Sequence, residues 1–129
     1  MSFRATLKFN QKEYDVLECT YSLKRDVDSK GRPASNIYGG LIKVRIEYTD
    51  DTQILENMIT QFKPVQGSVT FNKDDEEAKL KELIWENGYV VDFEESINVV
   101  GATQMEIKFT ISAQVIKMGG AQFEQNWPK

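Results

Sequence analysis

The strongest constraint in this sequence is a period of two. In FRATLKF, residues 3–9, Phe3, Ala5, Leu7 and Phe9 fall on one side while Arg4, Thr6 and Lys8 fall on the other. Such alternation marks a strand with one buried face. Asn10-Gln11-Lys12 forms a short polar connection into a second alternating stretch, where Tyr14 and Val16 hold one phase and Leu17, Cys19, Tyr21 and Leu23 the other. A switch of phase at Val16–Leu17 predicts a β-bulge. Further on, Ile42, Val44, Ile46 and Tyr48 alternate with Lys43, Arg45 and Glu47, and Val69 and Phe71 share a phase within 68–72. Met105, Ile107, Phe109, Ile111, Ala113 and Val115 make the most regular run in the chain.

Two places need a decision. Asn87-Gly88 is a strong hairpin signal, yet Leu83, Trp85, Tyr89, Val91 and Phe93 keep one phase through it. A two-residue turn there would set Leu83 opposite Asp92, so one long strand kinked at Gly88 is expected. Between 51 and 64 the rhythm changes: Ile54, Leu55, Met58, Ile59 and Phe62 follow helical spacing. Asp51 or Thr52 can cap this helix, and Pro64 with Gly67 ends it. A helix with one apolar stripe must lie on the sheet.

The expected fold is mainly β: about six long strands in a curled antiparallel sheet or small barrel, with one flanking helix. Its 129 residues make a single domain, 1–129. The segment MGGAQFEQNWPK, 118–129, is expected to be a flexible or docking tail. Strands this long leave unpaired edges that invite a neighbouring subunit if the sheet does not close.

The composition narrows the function. The net charge of −4 argues against nucleic acid as the main partner, because phosphate contacts need a basic surface. Residues 1–20 hold no continuous apolar segment of membrane or signal-peptide length, so the chain is expected to be cytoplasmic, without membrane insertion, or to leave without a cleaved signal. There is no histidine, which removes Ser-His-Asp and Cys-His catalysis and histidine-based zinc sites. The single cysteine, Cys19, reads as a small buried side chain. Tyr38-Gly39-Gly40 and Met118-Gly119-Gly120 lack the pattern of a phosphate loop. Asp74, Asp75, Glu76 and Glu77 lack the alternating spacing of a calcium loop; a solvated turn or a charged contact with a neighbour fits them better. No cofactor, metal or catalytic residue is expected.

Folding alone explains VDSKGRPASNIYGG, residues 27–40, least well. Two paired strands need only two to five connecting residues, and this excursion is longer. Asp28, Gly31, Pro33 and Asn36 are turn formers, compatible with an ordinary exposed loop or with an arm that packs on another subunit.

Residues 1–44, KLKELIWENGYVVDFEESIN and MEIKFTISAQVIKMG together resemble the Hcp (TssD) proteins, inner-tube subunits of type VI secretion systems, and most of all their Bacteroidetes branch. No one stretch is diagnostic; their order and spacing carry the likeness over nearly the whole chain. The resemblance implies an antiparallel β-barrel of two sheets with a flanking helix, assembled into hexameric rings that stack into a tube. It also implies a contractile sheath, a VgrG-like spike and effector proteins as partners, with export to the extracellular space or a target cell. It implies no enzymatic activity. In the family the extended loop reaches neighbouring subunits, which places Asp28, Gly31, Arg32 and Pro33 at a contact. Arg32 then offers a planar donor to a carboxylate, with Asp28 or Asp74–Glu77 of another subunit as acceptors; Trp127 is a further candidate contact. The alternative readings are a monomeric ligand-binding β-barrel and a carboxylate hydrolase built on Asp92 and Glu94.

Overall fold

The computed structural model describes residues 3–35, 38–60, 64–73, 79–96, 100 and 105–124. Its strands are β1 (Phe3–Phe9), β2 (Lys12–Lys24), β3 (Tyr38–Glu47), β4 (Val65–Lys73), β5 (Lys79–Ser96), β6 (Glu106–Met118) and β7 (Ala121–Glu124), with one helix, α1 (Gln53–Ile59), between β3 and β4. They form one continuous antiparallel sheet in the order β3-β2-β1-β4-β5-β6-β7, and β3 also pairs with β6. That last pairing closes six strands into a barrel. From the segment expected to be a flexible or docking tail, 121–124 fold back as β7 along Val115–Met118.

Local sequence accounts for most joints. Asn10 and Gln11 adopt φ of 50° and 72°, so Phe9 and Lys12 pair across a two-residue turn whose twist suits a hairpin. The register of β2 on β3 slips between Val16 and Glu18, which is the bulge expected from the change of phase. β5 runs unbroken through Asn87-Gly88, as the refusal of a hairpin requires. Its phase does not hold, however. Asn87 takes φ of 51°, Val90 turns inward and Val91 is half exposed, with a register slip on β6 between Val90 and Asp92. Two local distortions re-aim the side chains that simple alternation had assigned.

Trp85 explains the first of these. Its indole is fully buried and donates its N–H to the Val65 carbonyl at 3.1 Å. A Cβ on Gly88 would sit 2.6 Å from Trp85 Cδ1 and 2.7 Å from Ile111 Cγ2; one on Gly67 would sit 2.3 Å from the Lys8 carbonyl oxygen and 2.6 Å from Trp85 Cζ2. The ring therefore lies between two glycines on neighbouring strands. Around it pack Leu7, Phe9, Ile42, Ile46, Val69, Leu83, Ile107 and Ile111, and Phe9 meets Phe109 edge to face at 6.4 Å. The barrel interior is side chain throughout this cluster, the packed form of a small barrel rather than a ligand cup.

The helix corrects the sequence expectation. It is shorter, ending at Ile59, and it buries Ile54 and Asn57 while Met58 and Ile59 stay exposed; Phe62 lies outside the described residues. About two turns cannot present a full apolar stripe, and Ile54 alone joins the core. Of the two expected caps, Asp51 serves a helix N–H, whereas Thr52 stands at the N-cap position without a side-chain cap bond. The Asp51 carboxylate accepts the Gln53 N–H at 2.7 Å, and the Thr52 hydroxyl donates to Glu56 at 2.6 Å. Asp51 also pairs with Lys12 of β2, tying the helix start to the first hairpin. Burial, followed by the charge of Asp51, pushes the Tyr14 phenol up to about 12.

A methyl group at Gly67 has nowhere to go, because the atom that it meets first is backbone. Gly67→Ala should therefore destabilise the protein by about 1–3 kcal/mol. Gly88→Ala, which meets only side chains, should cost less. Urea unfolding followed by Trp fluorescence orders the two; equal midpoints for both variants and wild type would contradict this packing.

Candidate functional site

The segment after β2 is a small hairpin of its own. Val27 bridges Pro33, the Ala34 N–H donates to the Asp26 carbonyl at 2.8 Å, and the Asp28 N–H donates to the Arg32 carbonyl at 2.8 Å. Asp28 organises the tip. Its Oδ1 accepts the backbone N–H groups of Lys30 and Arg32 at 2.9 Å each, and its Oδ2 accepts Arg32 Nε at 3.0 Å. Gly31 supplies the left-handed residue that the tip requires, at φ of 82°. Asp28, Gly31, Arg32 and Pro33 are thus brought together as one unit, with Gly31, Arg32 and Pro33 exposed and Asp28 half-buried. Asp74, Asp75, Glu76, Glu77 and Trp127 lie outside the described residues. The sequence reading set Arg32 against a carboxylate on another subunit; within the chain its nearest partner is Asp28 itself.

The hydrogen bonds that Asp28 accepts, first from the Arg32 backbone, hold its carboxyl below the ordinary value.

A second feature locates the unpaired edges that the strand lengths led one to expect. β1 pairs with β2 only through Lys12–Asp15, whereas β2 continues along β3 to Lys24. On the other side, β4 follows β5 only to Gly88, whereas β5 continues along β6 to Ser96. Beyond the barrel body, β2-β3-β6-β5 is a four-stranded sheet. Among the described residues no further strand pairs with Leu17–Lys24 of β2 or with Val91–Ser96 of β5. Near the β2 edge, Leu17, Tyr21 and Leu23 keep 37 %, 37 % and 42 % of their surface. The sequence had placed all three with Cys19 on a buried face. Cys19 does pack against the core, and burial pushes its thiol up to about 11, so it is no ready nucleophile. The other three overhang the end of the barrel. Unequal strand length was the missed signal for their exposure: β2 and β5 have 13 and 18 residues against 7 and 9 for β1 and β4.

The outer face of this sheet is charged. Across it run Glu18, Arg45, Lys108 and Glu94 in one row, and Thr20, Lys43, Thr110 and Asp92 in the next. Glu106 bridges Arg45 at 3.6 Å and Lys108 at 3.7 Å. Asp92 and Glu94, the pair a hydrolase would need, do share a face, but they stand exposed on this open surface. Among the described residues no group of histidine, cysteine or carboxylate side chains could hold a metal ion. No described helix is long and apolar enough to cross a membrane.

A family model described as hemolysin coregulated protein Hcp (TssD) matches residues 1–128. The solved structure of Hcp1 from Flavobacterium johnsoniae is 35 % identical over 95 % of this chain and 99 % of its own, with a TM-score of 0.88. Hcp1 from Salmonella typhimurium shares the fold at 10 % identity, covering 95 % of this chain and 92 % of that one at a TM-score of 0.74. A chain of the PVC extracellular contractile injection system sheath-tube complex does so at 13 % identity, over 92 % and 89 %, at 0.58. No curated protein matches the chain in sequence.

Acid should loosen the hairpin before the barrel. A carboxyl held below its usual value supports the folded tip while ionised, so its support is complete above the ordinary pKa of about 3.9 and is lost as pH falls through the lowered value. Amide exchange at Gly31 and Arg32 should rise over that window in wild type, and should already be fast at neutral pH in Asp28→Ala. Protection unchanged in the variant would show that Asp28 does not organise the tip.

Proposed function

The chain belongs to the hemolysin coregulated protein family (Hcp, TssD), and from that membership we propose that it is the inner-tube subunit of a type VI secretion system, closing with five copies of itself into a ring. Its role is structural. The observation that carries the mode of closure is the pair of strand edges at opposite sides of one sheet, Leu17–Lys24 of β2 and Val91–Ser96 of β5.

In the order β2-β3-β6-β5 every pair is antiparallel, so β2 and β5 run in opposite directions. The β5 edge of one copy can therefore continue onto the β2 edge of the next as an ordinary antiparallel pair. Such head-to-tail contact uses two different surfaces, and it closes into a ring when the rotation suits. It also removes two exposed edges that a lone molecule would leave open to aggregation. Leu17, Tyr21 and Leu23 beside the β2 edge lose their remaining exposure in the same step.

Size decides which face turns inward. Six sheets of four strands, at about 4.8 Å per strand, make a cylinder about 37 Å across. A domain of 129 residues has a radius of gyration of about 14 Å, so six barrel bodies do not fit inside such a cylinder. The bodies with β1, β4 and α1 lie outside, and the charged face of β2-β3-β6-β5 lines the lumen.

The hairpin at 26–35 is the arm between copies. Its tip is ordered before contact by Asp28 and Pro33, which lowers the entropy cost of docking. Arg32 uses Nε on Asp28, leaving its terminal nitrogens to meet a carboxylate of a neighbour, for which Asp74–Glu77 are the candidates; Trp127 is a further candidate contact. Stacked rings would form the tube, with sheath proteins outside, a VgrG-like spike at the tip and effector proteins as passengers, and the apparatus itself would carry the tube out of the cytoplasm.

Purified protein should elute at about six times the 14.8 kDa monomer mass and show rings in negative stain. Leu23→Glu, at an exposed position, should keep the circular dichroism of the folded barrel yet shift elution to the monomer, as should deletion of 29–35. Wild-type protein that stays monomeric at every concentration would overturn the proposal.

A further inference from the structure

We infer that the ring closes with a stagger of four residues between neighbouring copies, which sets Lys24 of one copy opposite Asp92 of the next and Leu23 opposite Phe93; this rests on the inner-tube reading above. Few registers are open to the two edges. Thr20, Ser22 and Lys24 alternate along the charged face of β2, and the slip beyond Ser22 lies in β3, where Gly40 is the extra residue at φ of 74°. On β5, Asp92, Glu94 and Ser96 pair with Thr110, Lys108 and Glu106 on the same face, while Phe93 packs against the core from the other side. A continuous wall keeps each face whole, so the shift between copies is an even number of residues. Hydrogen-bonded and non-hydrogen-bonded pairs alternate along a row, and across four strands the alternation returns in phase. The backbone ladder can therefore continue from β5 into the next copy's β2.

Closure fixes the size of the shift. With no stagger, the row Glu18–Arg45–Lys108–Glu94 runs straight on, and Glu94 stands opposite Glu18 of the next copy. Like charges directly opposite destabilise a sheet. Twist excludes that register as well, because a closed barrel has its strands tilted by about 35–45° and the tilt shows as a stagger. At about 4.8 Å between strands and about 3.4 Å per residue, a tilt of about 35° moves each four-stranded sheet by about four residues against the next. It also widens the cylinder to about 45 Å, still too narrow to hold six bodies. In one sense, a stagger of four lays Asp92–Ser96 along Thr20–Lys24, both of them unpaired edge among the described residues. In the opposite sense it would set Glu94–Ser96 against Lys12–Tyr14, where β1 already pairs. A stagger of six would carry Asp92 past Lys24, the last residue of β2.

Side chains match in the same register. Lys24 and Asp92 are both exposed, and neither is ion-paired within its own chain among the described residues. Across the seam they meet as opposite charges, a favourable cross-strand pair. On the body side, Leu23, with 42 % of its surface exposed, meets Phe93, and Tyr21 meets Glu95, whose carboxylate can accept the phenol hydroxyl. Glu94 and Ser96 face Ser22 and Thr20, so between Asp92 and Ser96 no like charges stand opposite each other.

The test scans the register with disulfides, in the full chain carrying Cys19→Ala. Asp92→Cys is combined in turn with Thr20→Cys, Ser22→Cys and Lys24→Cys, which report staggers of zero, two and four. Within one copy the β2 and β5 edges lie three strand spacings apart, about 14 Å, so a bond can form only between copies. Under a mild oxidant the pair with Lys24→Cys should close covalent hexamers about tenfold faster than either other pair. A second arm exchanges the charges. Lys24→Glu should raise the concentration needed for half assembly about tenfold, and adding Asp92→Lys should bring it back to within about threefold of wild type. Fastest closure with Thr20→Cys or Ser22→Cys overturns the inference, as does assembly indifferent to the exchange of charges. Rings in negative stain with no disulfide at any of the pairs overturn it too. Wild-type protein that forms no rings would instead remove the inner-tube reading itself.

Discussion

The barrel is organised around the seat of one indole. Trp85 is the bulkiest fully buried side chain, and it lies where Gly67 of β4 and Gly88 of β5 leave room for it. Two strands must approach closely there, and a side chain on either glycine would push the ring or the backbone out. The same seat keeps β5 a strand through Asn87-Gly88: the glycine serves a close approach within the sheet, not a reversal of the chain. The Val65 carbonyl satisfies the indole N–H, so the ring carries no unpaired polar group into the core.

Filling the interior in this way settles what the molecule can offer a partner. Leu7, Phe9, Ile42, Leu83 and Ile111 are fully buried around Trp85, so the chemistry available to others lies on edges and outer faces. Unequal strand lengths then create those edges. β1 and β4 end with the barrel, whereas β2, β3, β5 and β6 continue as a sheet of their own. Closure through β3 and β6 is what makes this overhang a sheet rather than two loose ribbons.

Polar side chains outside the core do separate jobs. Asp51 fastens the start of α1 to β2 through Lys12 and the Gln53 N–H. Asp28 does the same for the exposed hairpin, drawing in two backbone N–H groups and Arg32. Each clamp is local, so the hairpin can be altered without touching the barrel. The charges on the outer face of β2-β3-β6-β5 are different: they are spaced by the strand register.

Much of this could be read in advance. Alternation located β1, β3 and β6, the change of phase located the bulge in β2, and the rejected hairpin left β5 whole. These follow from bonded neighbours, because a pleated strand turns successive side chains to opposite faces. The helix face was misjudged, since its length depends on where the chain must rejoin β4 rather than on its own pattern. The exposure of Leu17, Tyr21 and Leu23 was also out of reach: alternation tells which side a residue faces, but not whether anything lies opposite. The arrangement of strands, the overhanging edges and the charge lattice arise from contacts between residues distant in the chain, and only the closed sheet decides which of them meet.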